Sequence, residues 1–159
     1  MSILPIFIPH AGCPHQCVFC NQKTISGQKL AAVAGAKEQL ARWRSWLRPS
    51  AANEAAFYGG SFTGLPLELQ EELLVLTDAL LAEGFIGSVR LSTRPDYIDE
   101  ERLQLLQQHG VRLVELGVQS LDDRVLAAAE RGHTAAQVAP AVALLRRFGF
   151  QVGLQLMVG

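Results

Sequence analysis

Apolar positions along this chain follow two alternating rhythms. Short apolar runs at residues 3–8, 55–58, 88–93, 112–118 and 151–158 have the length of strands. Between them lie longer amphipathic stretches of helical period. One covers residues 31–47 and is stopped by Pro49. A second starts near Pro66, a favoured first-turn proline, and puts Leu69, Leu73, Leu76 and Leu80 on one face, with Gly84 just past its end. Asp99 is placed to cap a helix reaching His109, with Gly110 as its stop. Ser120 is the expected cap of a short helix up to Arg131. Thr134 and Gln137 form a capping-box pattern for a further helix ending near Gly149.

Strands separated by helices imply parallel pairing through right-handed crossovers. That pattern gives an α/β protein, either a barrel or a doubly wound sheet. The 159 residues suffice for one domain with a sizeable core. The last strand runs to the end at Gly159 with no helix to cover it. The expectation is therefore a C-terminally truncated piece of a longer protein.

Side chains alternate between faces along a strand, so parity sorts them. Ser88, Arg90, Ser92 and Arg94 share one face of the third strand, against Val89 and Leu91. Leu113, Glu115, Gly117 and Gln119 oppose Val114, Leu116 and Val118 in the fourth. Gln151, Gly153, Gln155 and Met157 oppose Val152, Leu154, Leu156 and Val158 in the fifth. A helix-covered parallel sheet normally reads apolar on both faces, and a closed barrel lumen is normally packed with branched residues. One polar face on three consecutive strands predicts instead a lumen that holds a polar ligand.

Composition narrows the class. Apolar residues at 49% and charged residues at 18% exclude a disordered chain, and the formal net charge of −1 does not advertise nucleic-acid binding. The charge is uneven, however. Residues 1–50 carry six basic side chains and one acid, whereas residues 51–110 carry three basic and ten acidic ones. The basic part includes Lys37, Arg42, Arg44 and Arg48 interleaved with Trp43 and Trp46. It reads either as a phosphate-contacting patch or, preferably, as a solvated helix face with its tryptophans packed inward. No run approaches the ~18 apolar residues of a membrane span. Residues 3–8 are too short for a signal peptide, contain Pro5 and follow no basic residue. The triplet Ala11-Gly12-Cys13 faintly resembles a lipoprotein cleavage site, but His10 and the missing signal region argue against one. A cytoplasmic protein without membrane attachment is expected.

Three cysteines, all within eight residues, fit a secreted disulfide framework poorly. Cys13, Cys17 and Cys20 stand in a C-x3-C-x2-C spacing on the loop after the first strand, where three thiolates can converge on one metal centre. A structural zinc site generally has four protein ligands, which His10 or His15 could complete; this would be a non-catalytic module. A fully ligated [4Fe–4S] cluster wants four cysteines. With three, one iron keeps an open coordination position for a substrate or cofactor.

These cysteines, with aromatic Phe19 before the last, resemble the signature of the radical S-adenosylmethionine superfamily. The resemblance implies a partial (β/α)6 barrel, TIM-like and with five parallel strands present, forming the radical SAM core over residues 1–159. It implies an oxygen-sensitive [4Fe–4S] cluster on Cys13, Cys17 and Cys20, with S-adenosylmethionine chelated at the open iron. Reductive cleavage then gives methionine and a 5′-deoxyadenosyl radical that abstracts a substrate hydrogen. No protein side chain is assigned as catalytic, since the cofactor performs the chemistry. An electron donor such as flavodoxin or ferredoxin is implied as a partner.

The other motifs extend the likeness at strand C-terminal ends, where barrel active sites form. Gly59-Gly60-Ser61 resembles the family's glycine-rich strand end that meets the methionine amino group, with Ser61 in place of the usual acid. Ser92 and Arg94 fall at the barrel mouth, and the resemblance has Arg94 pairing with the cofactor carboxylate. Gln119, in Glu115-Leu116-Gly117-Val118-Gln119-Ser120, is implied to contact the cofactor. Arg131, in Arg131-Gly132-His133-Thr134, is implied to reach its carboxylate, although a plain helix terminus explains those four residues equally well. Gln155 falls where relatives place a ribose or adenine contact. His109 and His133 read as surface or capping residues. Within the superfamily the chain resembles bacterial proteins similar to the Elongator catalytic subunit, which implies a tRNA substrate, and oxygen-independent coproporphyrinogen III oxidase-like proteins. It departs from both. The Elongator subunit has a longer gap between its first two cysteines and an acetyltransferase domain, and the oxidase has a further cysteine where this chain has Gln22. Inactivity of the truncated piece is the remaining alternative.

Overall fold

A computed structural model describes residues 2–8, 12–15, 17–20 and 29–158, the side chains of residues 29–31 excepted. His10, Gln22 and Gly159 lie outside the described residues. The elements run β1 (Ile3–Phe7), α1 (Lys29–Trp46), β2 (Glu54–Tyr58), α2 (Leu67–Ala82), β3 (Ser88–Thr93), α3 (Glu100–Gln108), β4 (Val111–Gln119), α4 (Asp123–Ala128), α5 (Val138–Arg147) and β5 (Gln151–Leu156). All five strands are parallel, in the order β1-β2-β3-β4-β5. A doubly wound sheet reverses its strand order at a switch point. This sheet never does, and it winds in one direction as a barrel wall does.

Parity explains which face is covered. Ile6, Phe57, Leu91, Val114 and Val152 are paired across the sheet, and the first four are almost fully buried. They join one apolar core with Leu40 of α1, Leu73 of α2, Leu106 of α3 and Leu145 of α5. Helices α1, α2, α3 and α5 therefore stack on this face. Leu154 and Leu156 of β5 point the same way yet stay half exposed, because the last strand in the order has a neighbour on one side.

The opposite face is polar, as parity predicts, and an ion pair crosses it from β3 to β2, although Arg90 Nε and Glu54 Oε2 make no hydrogen bond among the described residues. Arg90 lies 3.3 Å from the Glu54 carboxylate, which also accepts the Ser88 hydroxyl at 3.0 Å. Further along, Ser92 is paired in register with Glu115 and donates to it at 3.3 Å, while Gln155 donates to Ser92 at 3.4 Å. The strand opposite Glu115 carries Gly153, whose missing Cβ leaves room for the Glu115 side chain 3.2 Å away.

Helix boundaries follow their local chemistry. Asp99 caps α3 by accepting the Arg102 N–H at 2.9 Å. α4 departs from expectation: Asp122, not Ser120, caps it by accepting the Arg124 N–H at 2.9 Å, and Ser120 accepts the Asp122 N–H one turn earlier. The helix also stops at Ala128, short of Arg131, because Glu130 (φ 52°) and Gly132 (φ 79°) take left-handed backbone. The Gln137 side chain accepts the Thr134 N–H at 2.8 Å, but it starts a 3-10 turn, Ala135–Gln137, that runs into α5. On α2, Leu76 is only partly buried, and Gln70 is fully buried in its stead. Its amide donates to the carbonyls of Leu65 and Thr63, holding the turn after β2.

Candidate cluster and cofactor site

The cysteine loop leaves the end of β1 and is clamped between two backbone surfaces. On one side Gly12 (φ 88°) lies against the turn after β2. A Cβ on Gly12 would sit 2.5 Å from the Ser61 carbonyl oxygen, and one on Gly64 would sit 2.2 Å from the Gly12 oxygen. Neither position has room for a side chain. On the other side the His15 ring covers Gly132, whose Cβ would lie 2.3 Å from it, and the Val18 N–H donates to the Ala129 carbonyl at 3.1 Å. The Cys20 N–H closes a turn onto the Cys17 carbonyl at 2.9 Å.

None of the three cysteines is in a disulfide. Cys17 is buried, and the Arg131 guanidinium donates from Nη1 to its sulfur at 3.6 Å. Burial pushes the Cys13 thiol pKa above its ordinary 9.0, while a backbone hydrogen bond from Ser61 and the charges of Arg94 and Arg131 pull the other way. Among the described residues no three His, Cys, Asp or Glu side chains are drawn together closely enough to hold a metal ion. The convergence expected of the three thiolates is thus not formed here.

Arg94 is nearly fully buried. It forks onto Asp96, with Nε and Nη2 each 2.9 Å from a carboxylate oxygen, and its Nη1 donates to the Arg131 carbonyl at 2.7 Å. The carboxylate that this arginine meets comes from its own chain. The pairing is local: Pro95 opens a 3-10 turn, Pro95–Tyr97, that brings Asp96 back beneath the guanidinium. Asp96→Ala is expected to cost about 3 kcal/mol of unfolding free energy, the lower end for stranding one partner of a buried pair. Urea melts would measure it, and a loss below ~1 kcal/mol would contradict this account of Arg94.

Arg131 is 8% exposed and anchored from both ends. Arg94 holds its carbonyl, and its own Nη2 donates to the Gly117 carbonyl at 2.7 Å. Its Nε is buried without a partner among the described residues. Gly117 makes the approach feasible, since a Cβ there would lie 2.7 Å from Arg131 Nη2 and 3.0 Å from Gln119 Nε2. Gln119 ends β4 with φ 68°, where the β4–β5 register slips, and this turns its side chain over Gly117.

Gly59 and Gly60 follow β2 directly. Gly59 has φ 94°, and a Cβ there would meet the Ile8 carbonyl at 2.8 Å. Ser61 is buried, with its hydroxyl 3.0 Å from that of Thr93. What this turn offers outward is backbone. Phe19, 41% exposed, lines a cavity of about 430 Å³ with Val18, Gln119, Leu126, Ala129 and Met157. Cys13, Cys17, Ser61, Arg94, Arg131 and Gln119 therefore gather at the C-terminal ends of the strands, whereas Ser92 and Gln155 meet around Glu115 on the lumen face. His133 is buried rather than at the surface. Burial and the charges of Arg131 and Arg94 hold its pKa below the ordinary 6.5, and its Nε2 lies 3.2 Å from the Val118 carbonyl oxygen.

A family model described as the radical SAM superfamily matches residues 7–159. A tRNA uridine(34) acetyltransferase of Methanocaldococcus jannaschii is 24% identical, the match covering all of this chain and 36% of that protein. Archaeal Elp3 of Methanocaldococcus infernus superposes with a TM-score of 0.67 at 21% identity, covering 99% of this chain and 38% of that one. Coproporphyrinogen III oxidase from Escherichia coli, a radical SAM enzyme, gives 0.73 at 21% identity, covering 99% and 37%. The two superpositions show the fold, a TIM-like barrel of which five strands are present. The chain spans little over a third of the length of these relatives. With the family model spanning nearly all of it, the chain belongs to the radical SAM superfamily, whose members bind a [4Fe–4S] cluster and S-adenosylmethionine.

Proposed function

We propose that residues 1–159 form the cluster- and cofactor-binding core of a radical SAM enzyme. The reading is carried by the cysteine loop clamped against a buried guanidinium. A cluster held by three thiolates is anionic, and its charge grows on reduction. Arg131 beside Cys17 and the Ser61 backbone at Cys13 are the hydrogen-bond donors that such sulfurs require. Cys13, Cys17 and Cys20 ligate the metal, and binding draws their sulfurs together, since metal ligation and loop ordering are coupled. A reduced cluster held there would supply the one electron that cleaves the sulfonium of S-adenosylmethionine to methionine and a 5′-deoxyadenosyl radical.

The chain's own residues orient the cofactor. Arg131 Nε, without a partner among the described residues, is the donor assigned to its carboxylate. The backbone of Gly59, Gly60 and Ser61 takes the amino group, and Gln119 with Phe19 lines the adjoining cavity. Ser92 and Gln155 offer hydrogen bonds from the polar lumen. Arg94 serves from behind by fixing the Arg131 backbone.

A tRNA substrate is the finer part of the proposal. It draws on the likeness to the tRNA-modifying relative and on the exposed Lys37 and Arg42 of α1 and Arg48 just past it, with Arg44 beside them paired to Glu83 at 2.7 Å. Trp43 is not available to a base there, because its indole N–H donates to the Pro5 carbonyl at 3.0 Å, whereas Trp46 is exposed. Among the described residues no helix is long and apolar enough to cross a membrane. A cytoplasmic setting with a flavodoxin- or ferredoxin-like electron donor completes the reading. Anaerobically reconstituted protein given dithionite and S-adenosylmethionine is expected to release 5′-deoxyadenosine. Cluster-replete protein that binds the cofactor and never cleaves it would overturn the proposal.

A further inference from the structure

We infer that Arg131 sets the cluster's reduction potential through its Nη1 hydrogen bond to the Cys17 sulfur, separately from any contact with the cofactor. The inference rests on the proposed cluster and identifies the group that tunes it.

The geometry is over-determined for a guanidinium whose sole task is to grip a small molecule. Nη1 is directed at Cys17 Sγ at 3.6 Å, and Nη2 is tied to the Gly117 carbonyl at 2.7 Å. The backbone behind it is fixed by Arg94, which is itself held by two hydrogen bonds to Asp96. Side-chain volume is missing at position 117, where it would collide with Nη2. Four residues from three parts of the chain thus aim one N–H at one sulfur. The contact is buried at both ends, with Cys17 4% and Arg131 8% exposed, so water screens it little.

An electron added to a cluster spreads onto its sulfur ligands. A donor N–H and a fixed positive charge beside one ligand stabilise the reduced form more than the oxidised one, which raises the potential. Arginine suits the task because it stays protonated at any accessible pH and presents several donors in a rigid fork. One edge can serve the sulfur while Nε remains for a carboxylate.

The test is a redox titration of reconstituted protein without S-adenosylmethionine, followed by EPR of the reduced cluster. In Arg131→Gln the ratio of reduced to oxidised cluster, poised at the wild-type midpoint, is expected to fall about tenfold, equivalent to about 59 mV for one electron. Equal midpoints would overturn the inference, and would do so even if the variant bound S-adenosylmethionine more weakly, because that result assigns Arg131 to the cofactor alone. Should Arg131→Gln fail to assemble a cluster, wild-type protein labelled with 15N only in arginine carries the test. Pulsed EPR of its reduced cluster is expected to resolve a guanidinium 15N coupling, and its absence would overturn the inference. Wild-type protein lacking the cluster would instead sink the proposed function itself.

Discussion

Cys17→Ser is expected to leave a folded protein that no longer retains its cluster. Serine matches the cysteine in shape, and the Arg131 guanidinium that donates to Cys17 can donate to a hydroxyl, so the buried site keeps its partner. A hydroxyl, however, does not ionise at neutral pH, and iron prefers the soft thiolate. Losing an outer-shell partner of a metal site costs about 10- to 100-fold in affinity, and losing a ligand from a set of three should exceed ~100-fold. Iron and sulfide content after anaerobic reconstitution checks this. A full complement in the variant would mean that the loop does not ligate the metal.

Gly64→Ala tests the same site from a distance, without touching a cysteine. Its added methyl group would sit 2.2 Å from the Gly12 oxygen, a backbone atom that cannot rotate away. The cysteine loop must then lift from the turn after β2, which also carries the Ser61 donor to Cys13. The expected result is ~10- to 100-fold weaker cluster retention, with about 1–3 kcal/mol lost from overpacking. Gly35→Ala is the matched control. That glycine lies within α1, where an added Cβ would meet nothing within 4 Å among the described residues, so alanine should stabilise by roughly 0.5–1 kcal/mol and leave the cluster alone. Equal cluster loss in both variants would mean that the glycine contact does not dock the loop.

Much of this was legible in the sequence because it is local. The bounds of β3 and the Asp99 cap follow from residues adjacent in the chain. The polar face follows from the strand period of two, and Glu115 lies with Ser92 and Gln155 as parity requires, whereas the register slip at Gln119 breaks that period. Where local signals competed, the nearer acceptor won, and Asp122 displaced Ser120 as the cap of α4. The Arg94-Pro95-Asp96 order was visible, but its fold-back onto a buried ion pair was not. Pre-proline residues read as extended, and the turn that follows depends on burial.

The contacts that shape the site are non-local and left no sequence signal. Gly12 and Gly64 exclude each other's side chains across 52 positions, and Arg131 reaches Cys17 across 114. Thr93 is one such omission, since its hydroxyl gathers those of Ser61 and Thr63 beneath the glycine-rich turn. His15, considered as a metal ligand, instead stacks on Gly132.

Mössbauer spectroscopy of 57Fe-reconstituted protein, taken before and after adding S-adenosylmethionine, bears most directly on the vacancy at the cluster. With three cysteines as the only protein ligands, a single iron should change its isomer shift and quadrupole splitting while the other irons keep theirs. Four irons alike and indifferent to the cofactor, or a sample holding zinc and no cluster, would contradict the account.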